Sequence, residues 1–326
     1  MSEFGFTLSA EEQGGSQLVR LARLAEEAGF DFATISDHFH PWTSTQGNSP
    51  FAWTVLGGVA SVTERLRVGT AVTCPFIRVH PVLVAQAAAT VAEMMPGRFF
   101  LGLGTGENLN EHVTGERWPS ASERREMLEE AVDVIRSLWA GDQVDHHGRH
   151  FRVVDAKLYT LPETPPPIYL AAGGPKAVES AGRVANGMIA VAPDRELTEA
   201  FERAGGAGKP ALGQLTVCWA DDEQRALETA MRWWPNAAMK GELGQELPLP
   251  RHFEQAAELV TQDELARAVV CGPDPKRHED AVRGFLDAGY DGVFVHQIGP
   301  DQEGGLRFYA EEVLPRLRRE PARKAG

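Results

Sequence analysis

Residues 66–104 read LRVGTAVTCPFIRVHPVLVAQAAATVAEMMPGRFFLGLG, and the alternation inside this stretch decides the fold. Its two ends, LRVGTAV and RFFLGLG, are apolar runs of strand length. Between them HPVLVAQAAATVAEMM has the length of a helix, closed by Pro96 and Gly97. Strand, helix and strand in succession form the unit that builds a parallel sheet.

The unit repeats in both directions. Upstream, GFTLS is a first strand. QLVRLARLAEEAGF then sets Leu18, Leu21, Ala22, Ala25 and Ala28 on one helical face before Gly29 stops it. FATIS is the second strand and FAWTVLGGVASVTER the helix after it. Downstream, PIYLAAGGP, GMIAVAP, GQLTVCWA and DGVFVHQIG carry the remaining strands. The strands lie near 3, 32, 67, 98, 167, 188, 213 and 292, giving the eight of a (β/α)₈ TIM barrel. An open dinucleotide-binding sheet would need G-x-G-x-x-G after its first strand, and the nearest approach, GLGTGE, follows the fourth.

Residues 1–318 are read as one barrel domain with insertions near 105–165 and 222–266, and 319–326 as a basic tail expected to be disordered. The first insertion holds the amphipathic SASERREMLEEAVDVIRSLWAGD and a small hairpin, VDHHGRHFRV, around Gly148; the second lacks strand character. Trp233 and Trp234 in the second are expected to pack in the core or a dimer interface, with stacking on a substrate as the alternative.

Composition narrows the function. The 326 residues are 43% hydrophobic and 24% charged, ordinary for a folded chain, and the formal net charge of −14 argues against a surface that coats nucleic acid. Cys74, Cys218 and Cys271 are too scattered for a disulfide framework or a zinc knuckle. No basic-then-apolar signal opens the chain, and no uncharged apolar run reaches the roughly 18 residues of a membrane span. A cytoplasmic protein acting on a small molecule is expected, without nucleic-acid or membrane partners.

In a barrel, the residues just past each strand's C-terminal end meet on one face. That places Asp37, His38 and Trp42 with Ala71 and Val72, with Thr105, Gly106, Glu107 and Asn110, with Ala172, Gly173 and Gly174, and with His296. His38 suits proton transfer to or from a hydroxyl or carbonyl oxygen. GGP at 173–175 opens a helix, where free N–H groups favour an anion. Each has a plainer reading: Glu107 or Asp37 as a helix cap, Trp42 as core, GGP as a tight turn without ligand. HFH at 38–40 also raises a metal-dependent barrel hydrolase, but later strands offer only His296 as a further ligand, and DHHGRH at 145–150 lies in the presumed hairpin.

Taken in order, SDHFHPW, RVGTAVTCP, HPVLVAQAAAT, GRFFLGLGTGENLNE, LWAGD, PIYLAAGGP and EEVLPRLRR resemble the luciferase-like flavin and deazaflavin oxidoreductases, and most nearly the coenzyme F420-dependent glucose-6-phosphate dehydrogenase family. The resemblance implies a bacterial-luciferase-like barrel, coenzyme F420 in the strand-end cleft and a homodimer. It makes His38 the proton-transfer residue, Glu107 its acid/base partner and Trp42 the flank of the reacting centre. It gives Asp37 a contact with the deazaflavin, matches Ala71 and Val72 to a non-prolyl cis peptide behind the ring, and puts Thr105, Gly106, Asn110, Ala172, Gly173 and Gly174 along the cofactor.

The substrate end departs from that pattern. Asp194 in APDRE stands where a lysine is expected, Lys240 is the nearest match for another lysine, and the arginine position falls on Ala268, with Arg267 one residue away. Lys240, Arg267 and His296 are therefore carried as substrate residues for a sugar 6-phosphate such as glucose 6-phosphate, against a neutral alcohol, ketone or enone. An FMN-dependent luciferase-like monooxygenase and a non-enzymatic ligand-binding relative stand as further alternatives.

Overall fold

A computed structural model describes residues 2–319. Strands β1 (Glu3–Leu8), β2 (Phe32–Ile35), β3 (Arg67–Thr70) and β4 (Phe99–Leu103) pair in parallel in that order. The hairpin β5 (Val144–His147) and β6 (Arg152–Ala156) follows as a separate antiparallel pair. Then β7 (Ile168–Ala171), β8 (Gly187–Ala190) and β9 (Ala211–Cys218) continue the parallel sheet. β10 (Val270–Cys271) is a two-residue strand beside β9, and β11 (Gly292–Gln297) joins β9 to β1 and closes the ring. The closed cylinder is β1, β2, β3, β4, β7, β8, β9 and β11, the eight strands expected from the sequence.

Strands buried on both faces read as continuous apolar runs, and β2, β4 and β8 are buried at every position. The interior is plugged by Phe32, Phe100, Tyr169, Ile189, Leu212 and Phe294. Such a plug needs small residues opposite the large ones. Gly69 faces Phe100 in the β3–β4 register, and a Cβ on it would lie 2.2 Å from that ring. Because the plug fills the cylinder, the open space continuous with the barrel axis lies at the strand C-termini. Ala71 and Val72 pack on the plug's upper side.

The hairpin explains the histidine cluster. His146 Nε2 lies 3.0 Å from Glu130 Oε1, and Glu130 also accepts the amide N–H groups of His150 and Phe151. These histidines serve the packing of the hairpin on helix Ala121–Trp139. Among the described residues no group of three or more His, Cys, Asp or Glu side chains could hold a metal ion. Nor is any described helix long and apolar enough to cross a membrane.

The second insertion is helical, with Glu223–Trp233, Pro250–Ala257 and Gln262–Ala268 as its main elements. It is held over the strand ends by specific polar ties. Gln46 accepts the Trp42 amide at 2.8 Å and donates to the Trp233 carbonyl at 3.0 Å, while Glu254 accepts the Ser44 amide at 2.8 Å. Arg319, expected in the tail, ends helix Leu314–Arg319, and the rest of that tail, 320–326, lies outside the described residues.

Candidate active site

Above the plug is a cavity of about 700 Å³ walled by the strand ends and the second insertion. His38 is buried on its floor. Its Nδ1 donates to the His40 carbonyl at 3.2 Å, which leaves Nε2 as the lone-pair nitrogen of the neutral ring. Nε2 lies 3.4 Å from Glu11 Oε1 and 3.5 Å from Glu107 Oε2. Trp42 flanks the imidazole, with ring centroids 5.1 Å apart. One imidazole thus faces two carboxylates beside an aromatic wall.

The two carboxyls differ. Burial pushes Glu11 up, but the His38 imidazole and the Ser36 hydroxyl, 2.5 Å from Oε2, outweigh it and leave the carboxyl below its ordinary value. For Glu107 burial wins over the same imidazole and over the Asn110 amide, so its carboxyl is held above the ordinary value. Its side chain is 30% exposed to the cavity, so the full weight of that burial belongs to a closed site. Burial lowers His38, yet Glu11 and then Glu107 reverse the balance, and the imidazole is raised. Glu11 is the standing anion of the cluster, and Glu107 is the carboxyl nearer to carrying a proton.

Asn110 fastens the two catalytic-face loops to each other. Its Nδ2 donates to Glu107 Oε2 at 2.8 Å, and its Oδ1 accepts the amides of Phe39 and His40 at 2.9 and 3.1 Å. Asp37 is held from both sides, accepting from Thr73 Oγ1 at 2.7 Å and Arg78 Nη2 at 2.9 Å. Glu111 accepts the Arg78 amide at 2.7 Å; burial raises it, Arg78 partly offsets this, and its carboxyl sits at about 7. Gly106 turns at φ 72°, and a Cβ there would lie 2.7 Å from Cys74 Sγ, so the turn carrying Glu107 excludes a side chain.

The Ala71–Val72 peptide is cis. Asp37, His38, Trp42, Ala71, Val72, Gly106, Glu107, Asn110, Ala172, Gly173 and His296 reach the cavity wall from the strand ends, and Arg267 reaches it from helix Gln262–Ala268. Three expected residues do not. Thr105 and Gly174 are set back beside Gly106 and Gly173, Gly174 serving as the N-cap residue of helix Pro175–Val184. Lys240 points away and pairs with Glu264 at 3.1 Å on the surface, and its neighbours Met239 and Gly241 line the wall instead. Asp194 caps helix Arg195–Phe201, with Oδ1 accepting the Glu196 amide at 2.8 Å.

The cavity also holds residues the sequence reading passed over. Glu11 and Ser36 complete the His38 cluster, and Trp234 forms wall rather than only core. A signal for Glu11 was present, since SAEE at 9–12 follows the first strand and obeys the same strand-end rule. His296, on the last strand, is buried edge-on to Trp234, centroids 4.6 Å apart, and neither of its ring nitrogens has a protein partner. Burial holds it down at about 4, so it is a neutral imidazole near pH 7.

Fold and site together define a (β/α)₈-barrel protein with a buried acid/base cluster at the strand ends. The sequence profile of luciferase-like monooxygenases matches residues 1–292, and the chain belongs to that family. It is 37% identical to the F420-dependent glucose-6-phosphate dehydrogenase of Nocardia farcinica, covering 97% of this chain and 98% of the relative. It is 38% identical to the enzyme of the same name from Nakamurella multipartita, covering 97% and 96%. Among solved structures, an F420-dependent secondary alcohol dehydrogenase in complex with an F420-acetone adduct superposes with a TM-score of 0.90 at 29% identity, covering 97% of this chain and 99% of that one. The F420-dependent tetrahydromethanopterin reductase of Methanopyrus kandleri shares the fold, with a TM-score of 0.77 at 23% identity over 97% and 99%.

Proposed function

We propose that this chain is a coenzyme F420-dependent oxidoreductase that moves a hydride between an alcohol or hemiacetal carbon and the deazaflavin, with His38 as the proton-transfer residue. The observation that carries the reading is the His38 Nε2 lone pair, set within 3.5 Å of two carboxylates of unlike charge preference at the floor of the cavity. The chain's own surfaces fit the cofactor. Ala71 and Val72 offer a flat apolar rest on the barrel plug, and a Cβ at Gly173 or Gly174 would meet nothing within 4 Å, leaving room at a helix start for a phosphate. Asp37, Gly106, Asn110 and Ala172 line the rest of that side.

When bound, the deazaflavin supplies the hydride acceptor or donor. His38 Nε2 takes the hydroxyl proton in alcohol oxidation and returns it in carbonyl reduction. Glu11, ionised, stabilises the imidazolium so formed. Glu107, held by Asn110, passes protons between His38 and the cavity. Trp42 walls the reacting centre and excludes water. The three cysteines are free and buried, which suits a reducing cytoplasm, and the exposed apolar side chains Phe51, Leu83 and Met94 suit a homodimer.

His38→Ala is expected to lower turnover by about 10²–10⁴-fold, the usual worth of positioned acid/base assistance. F420 affinity, followed by fluorescence titration, should change little. Equal loss of both would make His38 a ring-positioning residue and remove the mechanism. Binding of FMN in place of F420 would favour the monooxygenase reading.

A further inference from the structure

The part of the cavity away from Gly173 is built by the second insertion, and its chemistry is apolar. Trp42 meets Phe253 edge to face, with centroids 5.1 Å apart, and Trp234, Met239 and Ala237 continue the surface. Charge on the wall is lopsided. The lining includes Glu11, Asp37, Glu107 and Glu111; Arg78 behind the wall answers Asp37 and Glu111, which leaves Glu11 and Glu107, and the one lysine or arginine among the described lining residues is Arg267, exposed at the end of helix Gln262–Ala268. Lys240 is turned outward to Glu264, and the positions where phosphate-binding side chains would be sought carry Asp194 and Ala268. A phosphate dianion drawn into this space would face Glu11 and Glu107 with only a rim cation to answer it. Burying a charge without a partner is strongly unfavourable.

His296 supplies the positive half of the assignment. Its imidazole is 4% exposed, lines the cavity, and has both nitrogens without a protein partner. A neutral imidazole presents one donor and one acceptor, and a hydroxyl, which is both donor and acceptor, complements it. An anion accepts only and can pair with the N–H nitrogen alone, whereas a hydroxyl can pair with either nitrogen.

On the hydride-transfer reading, on which this assignment rests, we propose that the substrate is an uncharged alcohol, or its carbonyl product, with an aliphatic or aromatic body lying against Trp42, Trp234 and Phe253 and an oxygen function held by His296. No phosphate on the substrate is recognised. In oxidation, the carbinol C–H pair leaves as hydride to the deazaflavin while the O–H proton goes to His38, so the alcohol becomes the carbonyl and the cofactor is reduced by two electrons.

The test uses F420-loaded protein with cyclohexanol, 1-phenylethanol, glucose and glucose 6-phosphate, read by bleaching of the deazaflavin absorbance. The neutral apolar alcohols are expected to exceed glucose 6-phosphate in kcat/KM by at least about 100-fold. Quenching of tryptophan fluorescence gives a second readout that needs no turnover: cyclohexanone should bind, inorganic phosphate and glucose 6-phosphate should not. In His296→Phe, which keeps a flat ring, KM for the alcohol should rise with F420 affinity unchanged. Preferred turnover of glucose 6-phosphate, or its tighter binding by quenching, overturns the assignment and leaves hydride transfer standing. Failure of every alcohol to reduce bound F420 removes the hydride-transfer reading itself, and the substrate assignment with it.

Discussion

In the proposed role of His38 as proton-transfer residue, Glu11 sets its charge state. Alcohol oxidation needs the neutral imidazole, and the two carboxylates raise His38 above its ordinary 6.5, so the acid limb of the rate profile lies above that value. Glu11→Gln keeps an acceptor for Ser36 but removes the charge, and it should move the acid limb to lower pH; an unmoved limb in a pH series of kcat would show that Glu11 does not act on His38. The same pair is linked to stability. Glu11, depressed below 4.5, stabilises the fold above that pH and loses the contribution as pH falls through its folded value. His38, raised, stabilises it below 6.5 and loses the contribution as pH rises through its folded value. Both contributions are complete only between the two ordinary values. His38 was legible in the sequence because SDHF directly follows a strand. Glu11 was not, because an acidic pair near a chain terminus has the composition of a solvated segment. Lys240 was misplaced because a helical insertion of arbitrary length carries no register from which a side chain's direction can be read.

Between elements, the site depends on two loops acting as one piece. Asn110, 2% exposed, joins the β2 and β4 loops through three hydrogen bonds, and no other described side chain reaches both the Phe39 amide and Glu107. Asn110→Ala strands two part-buried amide donors, each costing less than the ~1–3 kcal/mol of a fully buried unpaired group. A lower thermal midpoint together with a fall in kcat is expected, measured by melting and by F420 reduction on one preparation; a midpoint unchanged within error would mean the loops are held by packing. The eight barrel strands were legible because strands covered on both faces are mostly apolar, so their runs stand out from the helices between them. β10 was not, since two residues carry no period. The second insertion was legible as lacking strands, but neither its helices nor its place as a wall were. Trp234 follows the end of helix Glu223–Trp233, and its direction is fixed by the Gln46 tie to Trp233, a contact spanning nearly two hundred positions of chain.

At the scale of the whole molecule, one side of the barrel is incompletely covered. Helices Ala52–Val62 and Pro81–Met94 pack side by side, and Leu83 at 55%, Met94 at 43% and Val62 at 37% exposure lie on them, with Phe51 at 51% at their N-terminal end. Phe39, Phe51, Leu83 and Val79 also line a groove that runs down to His38 and Arg78, so whatever covers this side bears on the catalytic floor. Contiguous exposed apolar residues on soluble proteins mark interaction surfaces. A second copy fits better than a charged partner, because the overall −14 charge leaves an apolar patch as the place where two copies approach with least repulsion. Light scattering on the eluting protein should therefore give twice the 35.6 kDa chain mass. Leu83→Glu, exposed in the single chain and so harmless to its core, should shift the mass toward one chain and, by opening the groove above Arg78, raise solvent access to His38, read as faster hydrogen–deuterium exchange in the 36–42 segment. A wild-type protein that elutes as a single chain at micromolar concentration would show that this apolar side serves the monomer alone.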